Sequence, residues 1–261
     1  MPTAPLRQPD IEAIERATVA TVSPEATEEF ADWLIAFDRG TIGRAKCAVP
    51  LRHGEYSIDD IAAIEARYAV RGLPPMFRLA DDPCFASLHA ALRDAGYRDD
   101  RQSLVQVAAT RDVRALVVEP AVAIAAMPDD AWGRVFLGEG FDPVDGASRV
   151  RALTRAPDAV YACVRADHAM VAEGSSQNAD AIAAGAASFG YGWASIHAMR
   201  TALAHRGEGL AGRILSALAQ VALDRGFDRM FLQVEENNAG AQSLYRRAGF
   251  TDAWRYAYWS R

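Results

Sequence analysis

The stretch Arg206-Gly207-Glu208-Gly209-Leu210-Ala211-Gly212-Arg213 constrains this chain more than any other. Residues 193–199 before it read as a strand, and Leu210, Ile214, Leu215, Leu218 and Val221 after it recur at helical spacing. The glycines therefore sit on the first turn of an amphipathic helix. The first N–H groups of a helix have no intrahelical partner, and the macrodipole favours negative charge beside them. Glycine and alanine let an anion approach such a backbone closely. Taken alone, a glycine-rich turn is more often a helix cap than a ligand site. The downstream residues reverse that weighting.

Arg225-Gly226 marks a turn, residues 230–234 a short buried strand, and Asn238-Ala239-Gly240-Ala241-Gln242-Ser243-Leu244-Tyr245-Arg246-Arg247-Ala248-Gly249-Phe250 follows. With these residues the chain resembles the GNAT superfamily of acyl-CoA-dependent N-acetyltransferases. That family's loop pattern, Gln/Arg-x-x-Gly-x-Gly/Ala, is met by Arg206, Gly209 and Ala211. Its second signature is met by Val234, Asn238, Ala241, Leu244-Tyr245 and Gly249-Phe250. The resemblance covers the chain from Trp193 onward, and the two motifs in order are far more specific than either alone.

The resemblance implies an α/β fold with a mixed sheet and acetyl-CoA as cosubstrate. It implies that Arg206 and the backbone of Gly207, Glu208, Gly209, Leu210, Ala211 and Gly212 hold the pyrophosphate. Met199, Arg200 and Thr201 would take the pantetheine arm along their main chain, and Asn238, with Ala241, would contact the cofactor or brace its loop. Tyr245 stands where the family places the phenol that protonates the departing thiolate. Its chemistry suits the task, because a phenol with a pKa near 10 keeps its proton at neutral pH. Glu208 departs from the family, which often has a basic residue there. A carboxylate weakens phosphate binding unless it points outward, with Arg206 and Arg213 offsetting it.

Amide formation from a thioester also needs a neutral amine, so a proton acceptor is expected. Glu235 at the strand end and His197 on the preceding strand are the candidates; the alternatives are a solvated strand end and a packed strand residue. His205 reads as surface. His53, His89 and His168 show no ligand spacing, so no metal is expected. The aromatic tail Trp254, Tyr256, Tyr258 and Trp259 reads as strand and core, or as lining for an acceptor pocket.

A formal net charge of -6 argues against nucleic acid as the main partner, and the acidic balance hints at a cationic amine as acceptor, small molecule or peptide. No apolar run reaches the roughly 18 residues of a membrane span, so no membrane partner is expected. Cys47, Cys84 and Cys163 suggest neither a disulfide framework nor a zinc cluster, and a cytoplasmic setting follows. The sequence carries no signal for oligomeric state. Two other readings remain open: transfer of another acyl or aminoacyl group, and a non-catalytic CoA-binding module.

The chain also repeats itself. Phe37 and Gly40 match Phe189 and Gly192; His53-Gly54-Glu55 matches Arg206-Gly207-Glu208; Arg71-Gly72 and Met76-Phe77 match Arg225-Gly226 and Met230-Phe231. Leu-Arg-Asp-Ala-Gly-Tyr at 92–97 echoes Tyr-Arg-Arg-Ala-Gly-Phe at 245–250, so all these matches lie 152 to 154 positions apart. A drifting self-match of this kind predicts two tandem GNAT-like domains, 1–111 and 112–261. The first has lost its phosphate loop, with Tyr56, Ile58 and Asp59 where the second has Gly209, Ala211 and Gly212.

Local patterns predict helices around 11–17, from Ser23-Pro24, after His53-Gly54 (Ile58, Ile61, Ile64 and Tyr68 on one face), at 85–95, at 131–137 and at 147–154. Strands are predicted at 33–37, 41–49, 76–79, 104–108, within the apolar run 112–127, and at 159–166. Residues 173–180 read as a loop.

Overall fold

The computed structural model describes residues 6–118, 120–140, 142–166 and 180–261. Its strands are β1 (Ala26–Phe30), β2 (Trp33–Phe37), β3 (Ala48–Pro50), β4 (Phe77–Ala80), β5 (Arg98–Ala109) and β6 (Ala123–Ala125). They continue with β7 (Ala159–Arg165), β8 (Ala181–Gly190), β9 (Trp193–Thr201), β10 (Arg229–Glu235) and β11 (Thr251–Ser260). The helices are α1 (Gln8–Ala20), α2 (Asp59–Val70), α3 (Ala86–Asp94) and α4 (Thr110–Arg114), then α5 (Asp130–Arg134), α6 (Pro143–Leu153), α7 (Leu210–Asp224) and α8 (Ala239–Arg247). The fold is α/β, with one large mixed sheet in the order β1-β2-β3-β4-β11-β5-β10-β9-β8-β7-β6.

Apart from β6 at one edge, the pairing pattern is symmetric about its centre. On one side β11 is antiparallel to β4, β4 parallel to β3, and β3, β2 and β1 are successively antiparallel. On the other β5 is antiparallel to β10, β10 parallel to β9, and β9, β8 and β7 are successively antiparallel. β5 and β11 pair antiparallel with each other in the middle. The last strand of each half of the chain has therefore crossed to the other half. β5, which precedes residue 112, is the neighbour of β10, and β11 is the neighbour of β4.

The sequence repeat falls on equivalent places in this pattern. Gly72 and Gly226 both have positive φ just after α2 and α7, and in both the residue after the glycine closes a six-residue hydrogen bond: Leu73 N to Tyr68 O at 3.0 Å, Phe227 N to Ala222 O at 2.9 Å. This is the glycine-dependent helix stop that satisfies carbonyls otherwise left open. The same stop recurs after α3 and α8, where Tyr97 N reaches Leu92 O at 2.9 Å and Phe250 N reaches Tyr245 O at 3.0 Å.

The largest core cluster lies under α7. Leu210, Ile214, Leu215 and Leu218 of that helix pack with Val160, Ala187, Ile196, Leu232 and Val234 of the sheet, as helical spacing requires. Each fully buried Leu or Ile is worth about 1.5–3 kcal/mol. On the earlier strands, α2 and α3 bury Ile61, Ile64, Tyr68, Leu88 and Leu92 against Trp33, Phe77 and Trp259. α1 crosses the centre, with Ile14 and Ala17 on Val105, Val107, Phe231 and Tyr256. From α1, Glu15 also pairs with Arg78 of β4; both side chains are almost wholly buried. Removing one partner would strand the other charge in the core.

Several local expectations change. The segment after Ser23-Pro24 is β1, not a helix, because residues 26–30 pair throughout with β2. Residues 41–49 form a 3-10 turn at Gly43–Ala45 and then the short β3, rather than one strand. The run 112–127 holds the end of α4 and only the short β6. β8 was not anticipated. Of the loop expected at 173–180, all but Asp180 lies outside the described residues. No described helix is long and apolar enough to cross a membrane.

Removing residues 1–111 would take away β5 and bare the edge of β10, with its buried Phe231 and Leu232. A fragment starting at residue 112 is expected to aggregate or to lack fixed tertiary packing, judged by sedimentation and near-ultraviolet circular dichroism. A soluble fragment that melts cooperatively would show that β10 needs no such neighbour.

Candidate active site

The parallel ladder between β9 and β10 runs from Ala194–Met230 to Ile196–Leu232 and stops there. Ala198 explains the stop. Its φ of 57° is left-handed, and opposite it the register with β8 jumps between Ala184 and Ala186. A bulge of this kind bends a strand away from its neighbour. Beyond it, Arg200 and Thr201 keep their pairing to β8, with Met199 in the bulge between, and β10 goes on pairing with β5 through Glu235. The two strands part, and the backbone edge at 199–201 is open to an extended ligand.

A cleft of about 580 Å³ fills this parting. It is lined by Met199, Arg200, Thr201, Arg206, Gly207, Gly209, Leu210, Ala211, Gly212, Asn238, Ala241 and Tyr245. The glycine-rich turn enters α7 through Gly207 and Gly209, with φ of 86° and 76°. The Arg206 amide bonds Leu203 O at 3.4 Å, and the Gly212 and Arg213 amides both bond the Gly209 carbonyl, at 3.0 and 3.2 Å. The amides of Gly207, Glu208, Gly209, Leu210 and Ala211 have no partner among the described residues. Among the described residues no acidic side chain lines the cleft, while Arg200, Arg206 and Arg247 do. Open amides at a helix N-terminus and a positive rim form a binding place for a polyanion.

Glu208 is absent from the lining. Its carboxylate turns back to His205 Nδ1 at 3.2 Å, so it does not meet an anion head-on. Arg213 is occupied elsewhere, holding the carbonyls of Pro120 and Ala121 at 2.7 and 2.8 Å. Asn238 caps α8, its side-chain oxygen accepting from Ala241 N at 3.1 Å, which braces the loop. Sequence reading missed His205, Gly240 and Arg247 in the lining. Gly240, Leu244 and Arg247 lie four and then three apart on one face of α8, and that spacing was the available signal.

Tyr245 is buried, its ring edge-on to Phe250, and its hydroxyl has no protein partner among the described residues. Burial pushes its pKa up to about 12, so it holds its proton throughout the neutral range. Glu235, exposed at the end of β10, lies on the other side of the parting in a second cleft, and Arg200 feels its charge. His197 lies elsewhere than expected of a base. It is 5 % exposed, shares a 2.9 Å hydrogen bond with Ser188 Oγ, and burial with nearby Arg44 pushes its pKa down to about 3. A neutral, enclosed imidazole of that pKa is a weak proton acceptor and packs as a strand residue.

The equivalent place in the earlier half is closed. The Tyr56 ring packs edge-on to Trp33 at 5.2 Å and against Phe85 at 6.0 Å, and its hydroxyl donates to Asp32 O at 3.2 Å. Asp59 and Asp60 occupy the first turn of α2, and Asp60 accepts from Trp33 Nε1 at 3.0 Å. Those carboxylates repel a phosphate at this helix end. Among the described residues no three His, Cys, Asp or Glu side chains converge as for a metal.

A family model described as "Probable histone acetyltransferase Rv0428c C-terminal" matches residues 8–259. The uncharacterised N-acetyltransferase YobR of Bacillus subtilis is 24% identical over 257 residues, covering 95% of this chain and 98% of that protein. A GCN5-related N-acetyltransferase from Kribbella flavida superposes with a TM-score of 0.70 at 14% identity, covering 99% of this chain and 96% of that one. A tandem GNAT protein from the clavulanic acid biosynthesis pathway superposes with a TM-score of 0.61, also at 14% identity, over 99% and 90% of the two chains.

The buried state of His197 has a measurable consequence. In the window from about pH 6.5 down to about 3, the unfolded chain binds a proton on this ring and the folded chain does not. Stability contributed by the neutral ring is therefore lost as pH falls through that window, by up to about 1.4 kcal/mol per unit. Urea unfolding at pH 7, 5.5 and 4.5 is expected to show this slope, and His197→Gln to flatten it. An equal slope in the variant would mean that the ring titrates normally.

Proposed function

The chain belongs to the Rv0428c C-terminal acetyltransferase family, within the GNAT N-acetyltransferases, and from that premise we propose that it transfers an acetyl group from acetyl-CoA to a primary amine. One observation carries the reading: a single cleft joins the strand edge at 199–201 that has parted from β10, the N-terminus of α7 and Tyr245. Acetyl-CoA, when bound, supplies the activated acyl carbon. The α7 amides and the arginines Arg200, Arg206 and Arg247 hold its phosphates, and the backbone of Met199, Arg200 and Thr201 orients the arm. Glu235 takes a proton from the amine, and Tyr245 Oη holds the proton that the leaving sulfur needs. An acetyl-CoA-dependent reaction fits a cytoplasmic setting.

In the same proposal residues 1–111 and 112–261 are two GNAT-like domains that have exchanged their last strands, and only the second binds CoA. The filled Tyr56 position and the acids of α2 support that asymmetry.

Titration calorimetry is expected to give one CoA per chain; two equivalent sites would reject the asymmetry. Tyr245→Phe keeps the ring and removes only the proton donor. With chemistry rate-limiting, kcat should fall about ten- to a thousandfold, with CoA affinity and Tm nearly unchanged. Wild-type kcat in this variant would assign Tyr245 to packing alone.

A further inference from the structure

The second cleft, of about 160 Å³, opens on the Glu235 side of the parting. Among the described residues Arg44, Arg101 and Arg149 line it, and Glu235 is the one acidic side chain there. Two of these arginines are matched by acids. Arg149 Nε bonds Asp145 Oδ2 at 2.5 Å, and Arg101 Nε bonds Asp100 Oδ1 at 3.2 Å while its guanidinium lies 4.5 Å over the Tyr258 ring.

Arg44 is different. No carboxylate comes within ion-pair distance of it among the described residues, and its one side-chain hydrogen bond goes to Gln233 Oε1 at 3.3 Å. Burial lowers its pKa from the usual arginine range, and Tyr258, Tyr256, Arg149, Arg78 and His197 are among the groups that feel or act on its charge. A half-buried cation without a carboxylate partner carries a desolvation cost, and an anion arriving beside it offsets that cost.

The turn that carries Arg44 is fixed in place. A side chain on Gly43 would stand 2.9 Å from the Tyr258 ring, so glycine is what lets the Gly43–Ala45 turn seat against β11. At the other end of the cleft Glu235 makes no ion pair within 4 Å among the described residues. Arg44, which has no carboxylate partner among the described residues, and Glu235, whose charge reaches only as far as Arg200 without an ion pair, thus face one small space. At about 30 Å³ per water, that space corresponds to roughly five waters, the scale of a small metabolite.

We propose that the acceptor is a small zwitterion, a primary amine that meets Glu235 and carries its own carboxylate or phosphate to pair with Arg44. This rests on the acetyl-transfer reading and names its substrate class. It also reverses the hint from the overall acidic charge, because the local field at Arg44 is positive. The chemistry balances. The ammonium gives one proton to Glu235, and the freed nitrogen lone pair forms the amide bond as the thioester C–S bond breaks. The sulfur takes the Tyr245 proton, and the second nitrogen proton returns to Tyr245.

The test uses matched amines: glycine and glycinamide, L-serine and L-serinamide, phosphoethanolamine and ethanolamine. Each is titrated by calorimetry into CoA-saturated wild-type protein and into Arg44→Gln, and each is assayed with acetyl-CoA for thiol release and product mass. Within at least one pair the anionic member is expected to bind about ten- to a hundredfold more tightly to wild type, as a charge-assisted contact to arginine should. The carboxylate and phosphate pairs distinguish the two anions. In Arg44→Gln that preference should vanish, with CoA affinity retained. Equal affinity within every pair, or binding of none, overturns the proposal, and the wild-type comparison decides this even if the variant folds poorly. Tight anionic binding without acetylation supports the anion site and rejects acetyl transfer. Equal acetylation of neutral and anionic partners rejects the anion site and keeps acetyl transfer.

Discussion

The antiparallel ladder between β5 and β11 is the constraint on which the rest of the structure depends. Each of these strands also pairs outward with a strand from the other half of the chain, so the two middle strands knit one continuous sheet. α1 can pack only because this centre exists: it rests on Val105 and Val107 of β5, Tyr256 of β11 and Phe231 of β10. The ladder also sets the reach of β10. Paired with β5 all the way to Glu235, β10 stays straight while β9 turns away at Ala198, and the parting that forms the main cleft results.

The two halves share a backbone plan and differ in what their helix N-termini admit. At α7 the backbone is left-handed at Gly209, leaving amides open. At α2 an aromatic ring lies where the equivalent space would be, and two carboxylates follow on the first turn. Burial of the Tyr56 ring adds packing where a ligand site would leave water, while open amides and clustered arginines at α7 are tolerable because solvent or an anion satisfies them. The same substitutions that close one site stabilise that half locally.

Much of this was legible in the sequence where the cause is local. The apolar spacing of α7 and α2, the glycines that stop four helices, and the turn at Gly207 and Gly209 all act through their own neighbours in the chain. The parts that were not legible have distant causes. β8 is rich in alanine and glycine, with little strand preference of its own. It is held as a strand by burial between β7 and β9, and Gly185 there lies so close to α7 that a side chain would stand 2.6 Å from Ile214. The crossing of β5 and β11 could not be read because the two strands are equivalent in pattern, and only long-range pairing decides which partner each takes. The second cleft draws Arg44, Arg101, Arg149 and Glu235 from far-apart segments, so no motif announces it.

The crossed strands bear on how such a molecule can drift over generations. Side chains such as Tyr56 and Asp59 can close a helix N-terminus one residue at a time, because none of them takes part in pairing the sheet. Loss of the segment that holds β5 is another matter, for it would unmake the sheet beside the working cleft. Chemical decay of the first half is therefore cheap while its physical removal is not. A half whose helix N-terminus is filled by its own side chains still supplies the strand on which the neighbouring half's sheet leans.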